Sequence, residues 1–172
     1  MKSNVTPTAK EAAWDGESMI VSKTDLTGRI TYVNRTFMRV SNFAEAEVLG
    51  KQHNIIRHVD MPRGTFKLLW DTLKQGREFF GYVKNMTADG DYYWVFANVT
   101  PELDFHGKTV GYCSVRRKAK AAAIATISEV YREMLALEAR VGPANAPAAS
   151  VQMLQDKLQK MATTYDRFVL SL

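Results

Sequence analysis

The sequence predicts an α+β domain: a five-stranded antiparallel sheet with short helices on one face, followed by C-terminal helices. Two runs rich in β-branched and aromatic residues precede a helical stretch and three longer runs follow it, with turn-forming clusters between the members of each group. Helices gathered between the second and third strands, rather than alternating with every strand, point to antiparallel pairing and away from βαβ units. Composition agrees, because 46% of the 172 residues are hydrophobic and 24% charged, enough to build a core without disulfides or metals.

Residues 1–17 read as a polar N-terminal cap segment, with a short helix expected over 8–14, where Thr8 caps and Glu11 closes a capping box. Residues 18–24 and 29–33 form a hairpin across Asp25-Leu26-Thr27-Gly28. Asn34 stands where a helix N-cap is needed, and 34–42 with 44–49 give two short helices closed by Gly50. A loop over 51–60 leads to Met61-Pro62, with Asp60 as the expected cap of the next helix. There Phe66, Leu69, Trp70 and Leu73 recur at i, i+3, i+4 and i+7, and Gly76 stops the pattern. Strands follow at 79–86, 91–100 and 109–118, completing a domain over 18–118. Residues 119–141 are rich in helix formers, and 142–150 form a Pro/Ala linker whose two prolines break the helix. The last segment, 151–172, reads as one heptad-patterned helix with Val151, Leu154, Leu158, Met161, Tyr165, Phe168 and Leu172 three or four apart. Such a seam fits either a partner helix, making a homodimer, or a bed on its own domain.

Several classes of function are disfavoured. The formal charge is +5, and the one tight basic run is Arg116-Arg117-Lys118 with Lys120, less than nucleic-acid binding usually requires. A single cysteine, Cys113, excludes a disulfide framework and fits the reducing cytoplasm; in an apolar strand it reads as a small buried hydrophobe. The polar start Met1-Lys2-Ser3-Asn4 and the lack of any apolar run of ~18 residues give neither a signal peptide nor a membrane span. His53 and His58 lack a third metal ligand, since His106 lies in a distant turn. No glycine-rich phosphate loop and no nucleophile elbow is present, so an enzyme is not expected.

The chemistry-bearing residues gather around one loop and one helix. Gln52 to Pro62 concentrates polar groups before a helix N-terminus, where backbone N–H groups favour an anion such as phosphate. Arg57 can fork a phosphate, His58 can donate or stack, and Asp60 can orient Arg57 or accept from a sugar hydroxyl. A plainer reading has Asp60 capping the helix and Arg57 pairing with a surface acid. Trp70, Tyr82, Tyr92, Tyr93 and Trp94 suit a planar ligand, although alternation sends Tyr93, Val95 and Ala97 to one face of their strand and Tyr92, Trp94 and Phe96 to the other. Asn34 is explained as a cap, whereas Asn85, inside a strand, needs a partner if it faces inward.

Asp25-Leu-Thr-Gly-Arg-Ile-Thr-Tyr-Val-Asn34, Gln52-His-Asn-Ile-Ile-Arg-His-Val-Asp-Met-Pro62, Val83-Lys-Asn85, Gly90-Asp-Tyr-Tyr-Trp-Val95, Ala97-Asn-Val-Thr-Pro101 and Gly111-Tyr resemble the PAS domain of bacterial aerotaxis and energy-taxis receptors. The resemblance spans about two thirds of the chain. It implies a PAS fold that holds FAD non-covalently and signals redox or energy state to a signalling or chemoreceptor partner. It also implies cofactor-binding roles for Arg57, His58 and Asp60, and by position for Asn34, Asn85, His53, Trp70, Tyr93 and Trp94. Val59 departs from the group, which commonly has proline there. Two other readings of a PAS domain are a haem gas sensor, with His53 or His58 on iron, and a cofactor-free dimerisation module whose pocket is filled by Trp70 and Tyr93. A flavin–cysteine photosensor does not fit, because Cys113 lies in the last strand.

Overall fold

The computed structural model describes residues 5–172. Strands β1 (Ile20–Thr24) and β2 (Ile30–Val33) form the expected hairpin. Its turn is drawn together by Asp25, whose Oδ1 accepts from the backbone N–H groups of Thr27 and Arg29 at 2.8 and 2.9 Å. Gly28 supplies the positive φ of 81° that the turn requires. Helices α1 (Arg35–Ser41) and α2 (Glu45–Val48), a 3₁₀ turn at His53–Ile56 and α3 (Arg63–Lys74) follow. Then come β3 (Phe79–Met86), β4 (Tyr92–Leu103) and β5 (Thr109–Lys118). All strands pair antiparallel in the order β2-β1-β5-β4-β3, so the two chain-distant groups meet at β1 and β5. Pro101 is part of β4, beyond the point where β3 has ended, and pairs with β5 alone.

Register decides the two faces of the sheet. Tyr93, Val95, Ala97 and Val99 point inward beneath α1–α3, while Tyr92, Trp94 and Phe96 point outward. The C-terminal helices α4 (Ala121–Val141), α5 (Ala146–Lys160) and α6 (Tyr165–Ser171) cover the edge strand β3 and the flank of α3. Tyr131 Oη donates to the Tyr82 carbonyl at 2.7 Å, and Tyr131 stacks on Trp94 with ring centroids 6.3 Å apart. The otherwise open edge of β3 is thereby blocked.

Five expectations are corrected. The described part of the N-terminal segment is extended, not helical: Thr8 N donates to the Gly90 carbonyl, and Lys10 and Ala12 exchange backbone bonds with Tyr92. A helix of seven residues is marginal in water, whereas the start of β4 runs past the end of β5 and offers a ready ladder. The linker is shorter than 142–150, because α5 begins at Ala146 with Pro147 in its first turn, where no N–H is needed. The final helix is two helices, broken after Lys160 where Ala162 takes a φ of 52°. Its seam is spent inside the chain: Val151, Leu154, Leu158 and Phe168 are buried, with α5 packed on α3 and α4. Met161, of the same seam, is exposed. Finally, Cys113 is half-buried on the opposite face of β5 from the core, beside Lys23.

Candidate functional site

A cavity of about 230 Å³ lies between the inner face of the sheet and α3. Its wall divides by chemistry. Leu69, Trp70 and Leu73 from α3 meet Val99 and Tyr112 from the sheet on an apolar side, with Trp70 edge-on to Tyr112 at 5.4 Å. Trp70 also lies against Gly28, where a Cβ would come within 3.2 Å of its ring. The polar side carries Ser22, His53, Asn85 and Arg116, and the rim carries Gln52, Asn54 and Arg57.

Each polar group is held in a particular state. His53 Nε2 shares a 2.8 Å hydrogen bond with Ser22 Oγ, and burial together with Arg116 pushes its pKa down to about 3, so the ring is neutral. Arg116 is 2% exposed and donates through Nη2 to the same Ser22 hydroxyl, while its Nε and Nη1 meet no partner among the described residues. Burial lowers its pKa to about 10, leaving it charged at neutral pH. Asn85 is buried on β3, and no side-chain hydrogen bond is made to it by the described residues. Arg57 pairs with Asn85 along the backbone, donates through Nη2 to the Met61 carbonyl at 2.7 Å and lies 4.5 Å over the Phe66 ring. Burial lowers its pKa as well.

The helix N-terminus next to Arg57 is already filled. Glu138 of α4 accepts from the backbone N–H groups of Arg63 and Gly64 at 3.0 and 2.9 Å, and Ser150 of α5 donates to it at 2.6 Å. The expected phosphate position is therefore held by the chain's own carboxylate. Asp60 does not cap α3 either: Pro62 occupies the cap position, and Asp60 instead accepts from Lys84 Nζ at 2.6 Å.

His58, Asp60 and Trp94 stand in a second hollow, about 780 Å³, bounded by residues 7–9, Lys84, Tyr92 and the α4 residues Tyr131 and Arg132. His58 is 3% exposed; its Nδ1 accepts from the Asp60 backbone N–H at 3.1 Å, which places the ring proton on Nε2, an atom with no partner among the described residues. Burial first, then Lys84, lowers its pKa against the pull of Asp60. Val59, between them, is exposed.

Comparison with known proteins agrees with this architecture. The family model described as the PAS fold matches residues 30–116. The chain belongs to the PAS family. Over 134 residues this PAS chain is 38% identical to the aerotaxis receptor of Escherichia coli K12, covering 78% of this chain and 26% of that receptor. It is 30% identical over 135 residues to a nitrogen fixation regulatory protein of Klebsiella pneumoniae, with the same coverage of each. The chain thus spans about a quarter of the length of these relatives. Among solved structures, a light-oxygen-voltage domain from a flavin-analogue study superposes with a TM-score of 0.57 at 18% identity, over 67% of this chain and 86% of that one. These relatives are named as a receptor and a regulator, and no helix among the described residues is long and apolar enough to cross a membrane.

Of the nine residues singled out from sequence, the PAS cavity brings together His53, Arg57, Trp70 and Asn85. His58, Asp60 and Trp94 are not on its wall. Asn34 is committed to the fold: its Oδ1 accepts from Phe37 N at 2.9 Å and Val21 N at 3.1 Å, and its Nδ2 donates to the Met19 carbonyl. Tyr93 is wholly buried in the core beneath the cavity, its hydroxyl without a hydrogen-bond partner among the described residues. Sequence reading missed Ser22, Tyr112 and Arg116. Alternation along β5 was the available signal, since Tyr112, Ser114 and Arg116 share the face opposite Cys113.

Proposed function

We propose that this PAS domain binds FAD non-covalently with its ring system in the cavity beneath α3, and reports redox or energy state to a signalling or chemoreceptor protein in the cytoplasm. The observation that supports this most is the two-sided cavity wall, apolar along Trp70, Leu73 and Tyr112 and polar along Asn85 and Arg116, with Arg116 Nε and Nη1 short of hydrogen-bond partners among the described residues. A ring with a hydrocarbon edge and an imide edge matches that division. At about 230 Å³ the cavity is smaller than the ~300–1,000 Å³ usual for larger ligands, so the dinucleotide tail runs out past the rim.

Bound flavin supplies reversible uptake of electrons and protons, which alters the donors and acceptors on its ring edge. The residues do the rest. Trp70 and Tyr112 keep water from the ring, and Asn85 offers both a donor and an acceptor to its edge. Arg57 anchors the diphosphate at the rim through its guanidinium fork, while His58 and Asp60 brace the Arg57 loop against Lys84 from behind. Because Arg57 is bridged to Asn85 on the edge of β3, a change in the amide's partner is passed to that edge and to α4 packed on it.

The deciding experiment is the absorption spectrum of the purified protein and of Arg57→Ala. We expect the two bands of oxidised flavin, at least tenfold weaker flavin affinity in the variant, and FAD in the supernatant after denaturation. A Soret band would instead establish haem. A protein that stays colourless after FAD is added would be a cofactor-free interaction module.

A further inference from the structure

We infer that Glu138 is the chain's own competitor for the anion taken by the Arg57 rim, so that filling the rim loosens α4 and α5 from the start of α3. This rests on the flavin reading above only for that anion, and goes beyond it by naming what the anion controls. Behind the rim lies a third hollow, about 490 Å³, with Arg57, His58, Arg63 and Glu138 in its wall. Its charges are unevenly matched. Neither guanidinium forms an ion pair among the described residues, and Glu138, 8% exposed, is held by the backbone N–H groups of Arg63 and Gly64 and by the Ser150 hydroxyl. The three groups still feel one another: Glu138 steadies the charge on Arg57, and Arg63 opposes it. Two cations and a helix N-terminus thus face one carboxylate, and the balance calls for a further anion. A donor is left over as well, because His58 is 3% exposed and its Nε2 meets no partner among the described residues. Phosphate esters and diphosphates have the charge and the several acceptor oxygens that such a wall recognises.

With a diphosphate on Arg57 and Arg63, Glu138 loses the cations that compensate its buried charge. Such a carboxylate is costly, and Glu138 is relieved by leaving the α3 N–H groups for water. That departure is not local. Glu138 lies in the last turn of α4, its partner Ser150 belongs to α5, and α5 passes Gly64 so closely that an added Cβ would strike Ser150 Oγ. Contacts this close are either seated or unseated, which supplies the two states of a switch. By linkage, whatever unseats the helices tightens the anion by the same factor.

The test uses inorganic pyrophosphate and the full chain, dialysed free of small molecules, at constant ionic strength. Calorimetry gives the affinity, and hydrogen exchange read by mass spectrometry gives the seating of α5. Pyrophosphate should bind and speed exchange over 146–160. Glu138→Gln, which keeps the shape and an acceptor but not the charge, should bind it about tenfold more tightly, an ordinary coupling between two sites. Ser150→Ala, which leaves every charge in place, should also tighten it, whereas repulsion from a fixed Glu138 would not respond to that change. Binding with exchange over 146–160 unchanged or slowed overturns the inference whether or not a variant folds, as does equal affinity in a folded Glu138→Gln. If pyrophosphate binds neither the unaltered chain nor Glu138→Gln, the anion site fails, while the absorption spectrum decides the flavin reading independently. A chain that takes no flavin yet loosens α5 on binding pyrophosphate would lose that reading and keep this one.

Discussion

His53 sits where a proton is unwelcome: its ring is enclosed, and Arg116 lies near enough to repel a second charge. With a folded pKa of about 3 against an unfolded value near ~6.5, the unfolded chain binds a proton that the folded chain refuses. Stability is therefore lost as pH falls below ~6.5, at up to about 1.4 kcal/mol per unit, and this residue contributes no slope above that. His58, lowered by burial, adds to the same trend. Urea unfolding between about pH 7 and pH 5 checks this: His53→Gln should flatten the dependence by up to one proton, and an unchanged slope would refute the assignment. At the same scale, Asn85→Ala should keep part of the flavin while abolishing any redox-dependent difference in hydrogen exchange at β3. Persistence of that difference would remove Asn85 from the signalling route.

Among the elements, α3 carries the most consequence, because it roofs the cavity while its N-terminus is governed from elsewhere in the chain. Two of its leading N–H groups are satisfied by Glu138 on α4, and Ser150 on α5 completes the cluster. Glu138→Ala should cost about 2–3 kcal/mol, since it strips charge-assisted bonds from a buried helix end. The midpoint of denaturant unfolding measures it, and a loss below ~0.5 kcal/mol would show that the cluster is dispensable. Gly64, at the crossing with α5, has no room for a side chain, because an added Cβ would strike Ser150 Oγ. Gly64→Ala should therefore lift α5 from α3 and lower stability by several kcal/mol, with Ser150→Ala in the same chain recovering part of the loss.

For the whole molecule, the C-terminal helices belong to the folded body. Leu154 and Leu158 are buried against α3 and α4, so Leu154→Asp is expected to unfold the chain. Circular dichroism and solution mass separate the alternatives: lost helicity supports the packing described, whereas a folded chain of half the mass would make the seam a dimer contact after all. The same helices connect the cavity to the exterior, as α4 touches both the edge of β3 and the end of α3. Most of the architecture was legible without coordinates. Turn clusters at Asp25–Gly28 and Thr87–Gly90, the helical spacing of Phe66 to Leu73 and the β-branched runs are local signals, and elements with local causes appear where those causes lie. Local chemistry also identified Asn34 as a cap and Asn85 as an amide in need of a partner. Three matters depended on residues far apart in the chain: whether 8–14 would coil or pair with Tyr92, what would fill the N-terminus of α3, and which side of a strand would face the cavity. Sheet register chose the face and so turned Arg116 to the cavity wall, with a hydrogen bond to Ser22 and no ion pair among the described residues. Packing of α4 put Glu138 where phosphate was expected and turned His58 and Asp60 toward a different hollow. Such outcomes are contests between a local preference of about 1 kcal/mol and tertiary burial worth several times more, and only the assembled fold decides them.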